Sequence, residues 1–239
     1  MSQVTSDIQI AAGDLSLNTA SALHNLGERA VTPDGRSFRY CQAGASALVP
    51  GKLQQASAEV ANHQNVTVAT TAIAATSITV TLGNTAATAN QYAGGWILIS
   101  AGTGLGYQYK ISSHPAAAGN ATLVLTLEDP ILVATLVSDS KADLIANPFK
   151  GVILNPASAS SAPVGSGIFA ITALYFGWIQ VGGVANILND GGSTVGTNVS
   201  ASNATAGAVE AAVTAQAAVG IALTGITTAE YGAILLNLR

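Results

Sequence analysis

The sequence predicts an all-β protein: two small β-sandwich or barrel domains preceded by an extended N-terminal arm. Three observations predict it. Short runs of Val, Ile and Thr alternate with turn signals at a spacing of roughly 8–12 residues, as antiparallel strands require. The 25 glycines and an apolar content of 49%, drawn mostly from Ala and Val, favour small side chains on sheets with many turns. Residues 155–167 (NPASASSAPVGSG) combine Pro, Ser, Ala and Gly, a linker composition that divides the chain. The expected divisions are an arm and cationic segment at 1–55, a β-rich domain at 56–154, the linker at 155–167 and a C-terminal barrel or sandwich at 168–239.

Taken in order, residues 1–26 are small and polar without periodicity and are expected to form an arm. Residues 52–62 could hold a short helix. Residues 66–82 (VTVATTAIAATSITVTL) alternate Thr with Val, Ile and Leu and read as a strand pair. Gly94–Ile99 and Tyr107–Ser112 flank the Gly-rich SAGTGLG and form a hairpin. Two further strands are expected at 121–127 and 131–137, separated by Glu128-Asp129-Pro130. Beyond the linker, 173–181 carries Tyr175, Phe176 and Trp178, Gly182-Gly183 is read as a turn, and 184–188 follows. Asn189-Asp190-Gly191-Gly192 is a strong turn signal. Strands are then expected at 194–199, 207–214, 216–224 and 231–238, because Gly207, Gly220 and Gly225 break any helix in these alanine-rich stretches. No internal repeat stands out.

Residues 27–55 differ from the rest. Arg29, Arg36, Arg39 and Lys52 lie here, four of the eight Lys and Arg in the chain. Thr32-Pro33-Asp34-Gly35 is a turn, since Pro presets φ and Gly35 tolerates a positive one. Residues 36–40 (RSFRY) then alternate as a strand with cationic edges, with Phe38 expected on one face and Arg36 and Tyr40 on the other. Arg29, Arg36, Phe38, Arg39, Tyr40 and Lys52 are the candidate docking residues.

The stretch GER…TPDGRSFRY…AGASALVPGKLQQ resembles the opening of a structural protein encoded beside the major capsid gene in many tailed bacteriophages, a class taken to be capsid decoration, or cement, proteins. The similarity continues in Gly104–Ile111 (GLGYQYKI), Leu127–Pro130, Asn147–Val152 (NPFKGV) and Tyr175–Gln180 (YFGWIQ). The resemblance implies a homo-oligomer, commonly a trimer, bound to the major capsid protein on the virion surface.

Composition narrows the classes independently. Charged residues make up 8% of the chain, far below the usual ~25%. So low a charge suits a surface that spends its life in a symmetric assembly. A net charge of −4 lacks the basic footprint of a nucleic-acid binder. One cysteine, Cys41, excludes an internal disulfide. The N-terminus has no signal-peptide pattern and no apolar run is long enough to span a membrane, so synthesis in a host cytoplasm is expected.

Catalytic patterns are tested and set aside. Gly102–Gly106 lacks the GxxxxGK[ST] spacing and a following helix, so it is read as a hairpin turn. His24, His63 and His114 fit no ligand spacing and are read as surface or loop histidines. Cys41 has no base nearby in sequence and is read as a small buried strand residue. Glu128-Asp129 and Asp139/Asp143 are paired carboxylates with two tryptophans, Trp96 and Trp178, as conceivable sugar platforms, but turn and loop roles are the stronger reading. From Gly151 to Leu238 there is no Lys, Arg or His, a poor setting for acid–base catalysis. The expectation is therefore a non-enzymatic virion protein that cements a capsid, with no cofactor, metal, nucleic acid or membrane partner. A head fibre, neck or tail component is the alternative, and a carbohydrate-binding β-sandwich a more distant one.

Overall fold

The computed structural model describes residues 7–133, 135–213, 216–227 and 229–238. The chain forms two compact units, one from residues 1–58 and 148–239 and the other from 59–147. Strands β1 (Ile8–Gln9), β2 (Arg29–Val31), β3 (Ser37–Gln42) and β4 (Leu53–Gln55) open the first unit. Strands β5 (Val66–Val68), β6 (Ser77–Thr81), β7 (Trp96–Ala101), β8 (Gln108–Ser113), β9 (Thr122–Leu127) and β10 (Lys141–Ile145) make the second. The chain then returns to the first as β11 (Ile153–Leu154), β12 (Pro163–Gly167), β13 (Phe176–Asn189), β14 (Asn198–Ala201), β15 (Val209–Ala211), β16 (Ala218–Ala222) and β17 (Glu230–Asn237). The protein is all-β, as the sequence predicts. No helix among the described residues is long and apolar enough to cross a membrane.

The second unit is a closed barrel with strand order β10-β5-β6-β9-β8-β7. Strand β9 shows how the sequence builds it: Leu123, Leu125 and Leu127 point inward and are buried, while Thr122, Val124 and Thr126 face out. Ile78, Val80, Ile97, Ile99, Ile111 and Leu144 complete the filling. Each such side chain contributes about 1.5–3 kcal/mol on burial. The expected strand pair at 66–82 and the hairpin around Gly102–Gly106 are both present. The strand expected at 131–137 does not form among its described residues, 131–133 and 135–137. Ile131 and Leu136 are buried there as irregular chain, and Leu136 makes a lone bridge to Thr71. The barrel is closed instead by β10, whose Ala142 and Leu144 alternate inward and which pairs with both β5 and β7.

In the first unit the fourteen-residue strand β13 is shared by two rings. Its first part pairs with β3, and Ile179 and Gln180 pair with β12. β12 and β11 flank β4, and Ala43 bridges Val152 to bring β3 round to β11. Cys41, Ala43, Leu48, Val152, Val164, Ile171 and Ile179 pack within this ring. From Gly182 to Asn189, β13 pairs with β17, and β17-β16-β14-β15 returns to β13. Leu53, Ala185, Ile187, Val199, Val209, Val219, Ile226 and Ile234 pack together in that second ring. Gly182-Gly183 is therefore a passage within one strand and not the expected turn: Gly182 pairs with Ser37 on one side and Asn237 on the other.

The stretch 155–167 is not a free linker. Pro163–Gly167 is β12, buried from Val164 onward. Its glycines mark tight packing: a Cβ on Gly165 would lie 2.9 Å from the Gln180 carbonyl oxygen, and one on Gly167 2.6 Å from that of Val49. The unit boundaries fall instead near 58 and 148. The segment with a possible short helix holds β4 and a single 3-10 turn, Ala61–His63. The expected arm begins outside the described residues, at 1–6. From Asp7 on it is docked: β1 lies parallel to β2, and Ile10 and Leu15 are buried beside Phe38, Tyr40 and Trp178.

One turn device recurs. Four isolated antiparallel bridges, Leu48–Ile171, Thr71–Leu136, Ala87–Ala117 and Ser193–Ile226, each join two segments that lead into strands. Three residues after seven of these eight bridge residues the backbone takes a positive φ, at Gly51, Ala74, Asn90, Asn120, Leu174, Gly196 and Ala229, Leu136 being the exception. The repeat is one of backbone geometry, carried by different side chains, so the sequence does not display it.

Candidate docking cleft

The turn at Thr32–Gly35 forms as its residues dictate. The Gly35 N–H donates to the Thr32 carbonyl at 2.9 Å, and Gly35 has φ +84°. The Thr32 hydroxyl and the Arg36 guanidinium both donate to the Asp34 carboxylate, Arg36 Nε at 2.8 Å. The Thr32 hydroxyl first, and then Arg36, hold the Asp34 carboxyl down at about 2.

This turn sets β2 against β3 with Arg29 directly opposite Arg39, Ala30 opposite Phe38 and Val31 opposite Ser37. Arg29 is exposed and pairs with Asp7 at 2.8 Å. Arg39 donates to the Gly27 carbonyl at 2.8 Å, and its guanidinium carbon lies 5.9 Å from the centre of the Phe149 ring. Both arginines line one cleft of about 760 Å³, where β13 passes from β3 to β17, together with Ser37, Gly182, Ile221 and Leu235. The cleft continues onto an exposed apolar row. Val184 on β13, Leu235 on β17 and Ile221 on β16 stand in register and are 54%, 41% and 39% exposed.

The other sequence candidates separate. Arg36 lines a second groove with Pro50, Gln180, Val184 and Tyr231, and Lys52 Nζ lies 5.9 Å from the Tyr231 ring centre. Phe38 and Tyr40 are fully buried and present no docking surface. The expectation that Arg36 and Tyr40 face away from Phe38 is corrected as well. A two-residue period places 36, 38 and 40 on one face. Accordingly Phe38 and Tyr40 share a core with Trp178, and the Arg36 guanidinium lies 5.6 Å from the Phe38 ring centre. The Tyr40 hydroxyl accepts the Leu23 N–H at 3.0 Å, and the ring meets Trp178 edge-on at 5.0 Å. Phe38 and Tyr40 thus hold β3 in place, and the arginines carry the surface chemistry. Ile221, Leu235 and Val184 were not singled out by sequence. They are apolar, uncharged and distant in the chain from the arginines, and only the strand register joins them.

The groups weighed for catalysis hold structure. Cys41 is buried and its thiol is pushed well above its ordinary pKa by desolvation. Glu128 pairs with Lys110 at 3.2 Å. Asp139 accepts the Thr103 N–H at 3.3 Å, and Asp143 accepts the Asn65 N–H at 2.7 Å. Trp178 is 1% exposed and inaccessible to a sugar, whereas Trp96 is half-buried. Among the described residues no cluster of His, Cys, Asp and Glu is arranged to hold a metal ion. His63 and His114 are buried, contrary to the surface reading, and both contact Tyr92.

Fold and site together define an all-β protein whose distinguishing surface is a cleft with two arginines beside an apolar sheet face. No protein-family model, no curated protein and no solved structure matches the chain.

Proposed function

We propose that this protein is a structural component of a tailed-bacteriophage head, a cement protein that binds the major capsid protein as a homo-oligomer, with a trimer as the expected form. The observation that carries the reading is the placement of Arg29 and Arg39 in one cleft that runs onto the Val184–Leu235–Ile221 row. An exposed apolar patch bordered by arginines has the anatomy of a protein-docking surface, since contiguous exposed apolar area marks interaction sites and Arg is enriched in interfaces while Lys and Glu are depleted. The sequence resemblance supplies the phage context. The low charge fits a surface covered in an assembly, and many weak contacts multiplied by valence would stabilise the shell. The role is binding, without enzymatic chemistry.

The test is co-sedimentation of the purified protein with capsids that lack it. The doubly charge-reversed Arg29→Glu, Arg39→Glu protein is expected to lose binding. Wild-type levels of binding by the double variant would overturn the docking assignment. Absence of binding by the wild type would overturn the capsid reading itself.

A further inference from the structure

Two histidines of the second unit hold Tyr92 from its two ends. His114 is 4% exposed. Its Nε2 accepts the backbone N–H of Tyr92 at 2.9 Å, and its Nδ1 faces the Pro115 carbonyl at 2.8 Å. A carbonyl only accepts, so Nδ1 carries the proton and Nε2 is the bare lone pair. His63 is arranged in the reverse sense. Its Nε2 faces the Thr85 carbonyl at 2.9 Å and carries the proton, leaving Nδ1 to accept the Tyr92 hydroxyl. That hydroxyl keeps its proton, because burial pushes the phenol well above its ordinary pKa. The segment is tied further by the His114 N–H donating to Asn90 Oδ1 at 2.9 Å and the Asn90 N–H donating to the His114 carbonyl at 2.9 Å. The Ala87–Ala117 bridge joins the same two stretches of chain.

The two imidazoles respond differently to a proton. A protonated His63 becomes a donor at Nδ1, and the Tyr92 hydroxyl can turn to accept. A protonated His114 becomes a donor at Nε2, aimed at a backbone N–H that has no lone pair to offer. We propose that His114 is an acid-sensitive latch. Its neutral form fastens residues 88–95 to the 114–117 segment, and protonation releases that end of the barrel. Tyr92, from the turn before β7, is a titratable group that faces it, and Tyr92 in turn meets His63. The latch holds while His114 is neutral and loosens as the imidazole takes a second proton.

Hydrogen exchange on the full chain tests this, with rates corrected for the intrinsic effect of pH. Between about pH 7.5 and about pH 5, protection of the Tyr92 amide and of residues 88–95 is expected to fall about tenfold, the scale of one lost hydrogen bond, while β9 keeps its protection. Equal protection at both pH values would overturn the proposal. In His114→Gln, a neutral side chain with a donor and an acceptor, the pH response is expected to vanish, and its persistence would assign the effect to another group. Should that variant fail to fold, the imidazole 15N shifts of the wild type decide. His114 is expected as the Nδ1–H tautomer and His63 as Nε2–H, and an Nε2–H His114 would refute the latch.

Discussion

Arg29 and Arg39 stand directly opposite each other on neighbouring antiparallel strands, two cations on one face of β2 and β3. Like charges in this position repel. The pair is shared out, Arg29 to Asp7 and Arg39 to the Gly27 carbonyl, and donor capacity remains over the cleft. Arg29→Gln removes both the repulsion and an exposed ion pair, terms of similar size. Its unfolding free energy in denaturant is expected to stay within about 0.5 kcal/mol of wild type. A loss above about 1.5 kcal/mol would make Arg29 a structural residue first.

The Thr32–Gly35 turn responds to acid through Asp34. Its carboxyl is held at about 2, below its ordinary value of 3.8, first by the Thr32 hydroxyl and then by Arg36. A depressed carboxylate supplies stability above its unfolded pKa and loses it as pH falls toward the folded one. The turn is therefore expected to loosen between about pH 4 and about pH 2, and Asp34→Asn to remove that part of the acid response in a pH series of denaturant midpoints.

Gly167 distinguishes a packed strand from a linker. A Cβ there would sit 2.6 Å from the Val49 carbonyl oxygen. Gly167→Ala is expected to destabilise by about 1–3 kcal/mol in chemical unfolding, the scale of overpacking, whereas in a flexible connection it would be neutral or slightly stabilising.

Leu174 is 62% exposed and held at φ +66°. A non-glycine residue in this left-handed region costs about 1–2 kcal/mol, and Leu174 recovers little by burial. Leu174→Gly is expected to raise stability by about 1 kcal/mol after the added chain entropy of glycine. An unchanged or lower thermal midpoint would show that the leucine side chain has a contact worth keeping.

Leu125 is fully buried in the barrel of the second unit. Leu125→Ala is expected to cost about 3–5 kcal/mol, lost transfer energy plus a cavity, read as an earlier transition in the fluorescence of Trp96 on β7. Trp178, in the first unit, serves as a separate reporter.

Much of the fold was legible in the sequence. Thr-Val alternation at 66–82 and the Gly-rich turn after Trp96–Ala101 report local geometry, and local geometry is what a period of two encodes. What failed depends on partners far away in the chain. Pro163–Gly167 reads as a linker because glycine is also what flexibility looks like, and only Val49 and Gln180, pressed against it, reveal the packing. Gly182-Gly183 reads as a turn because nothing local announces that Ser37 and Asn237 will pair on either side of it. In the cleft, the arginines were visible as a charge cluster, but their apolar neighbours on β13, β16 and β17 were not. The placing of Phe38 against Tyr40 was a misapplied period, correctable from the sequence alone.

Strand β13 belongs to both rings of the first unit, residues 176–182 to one and 182–189 to the other, so the two rings meet along one continuous backbone. Damage to one is transmitted to the other along the same backbone. A protease nick in a surface loop leaves the shared strand intact, and a pull on β17 loads β3 through it. Such a unit lacks a cheap fracture line between its two rings.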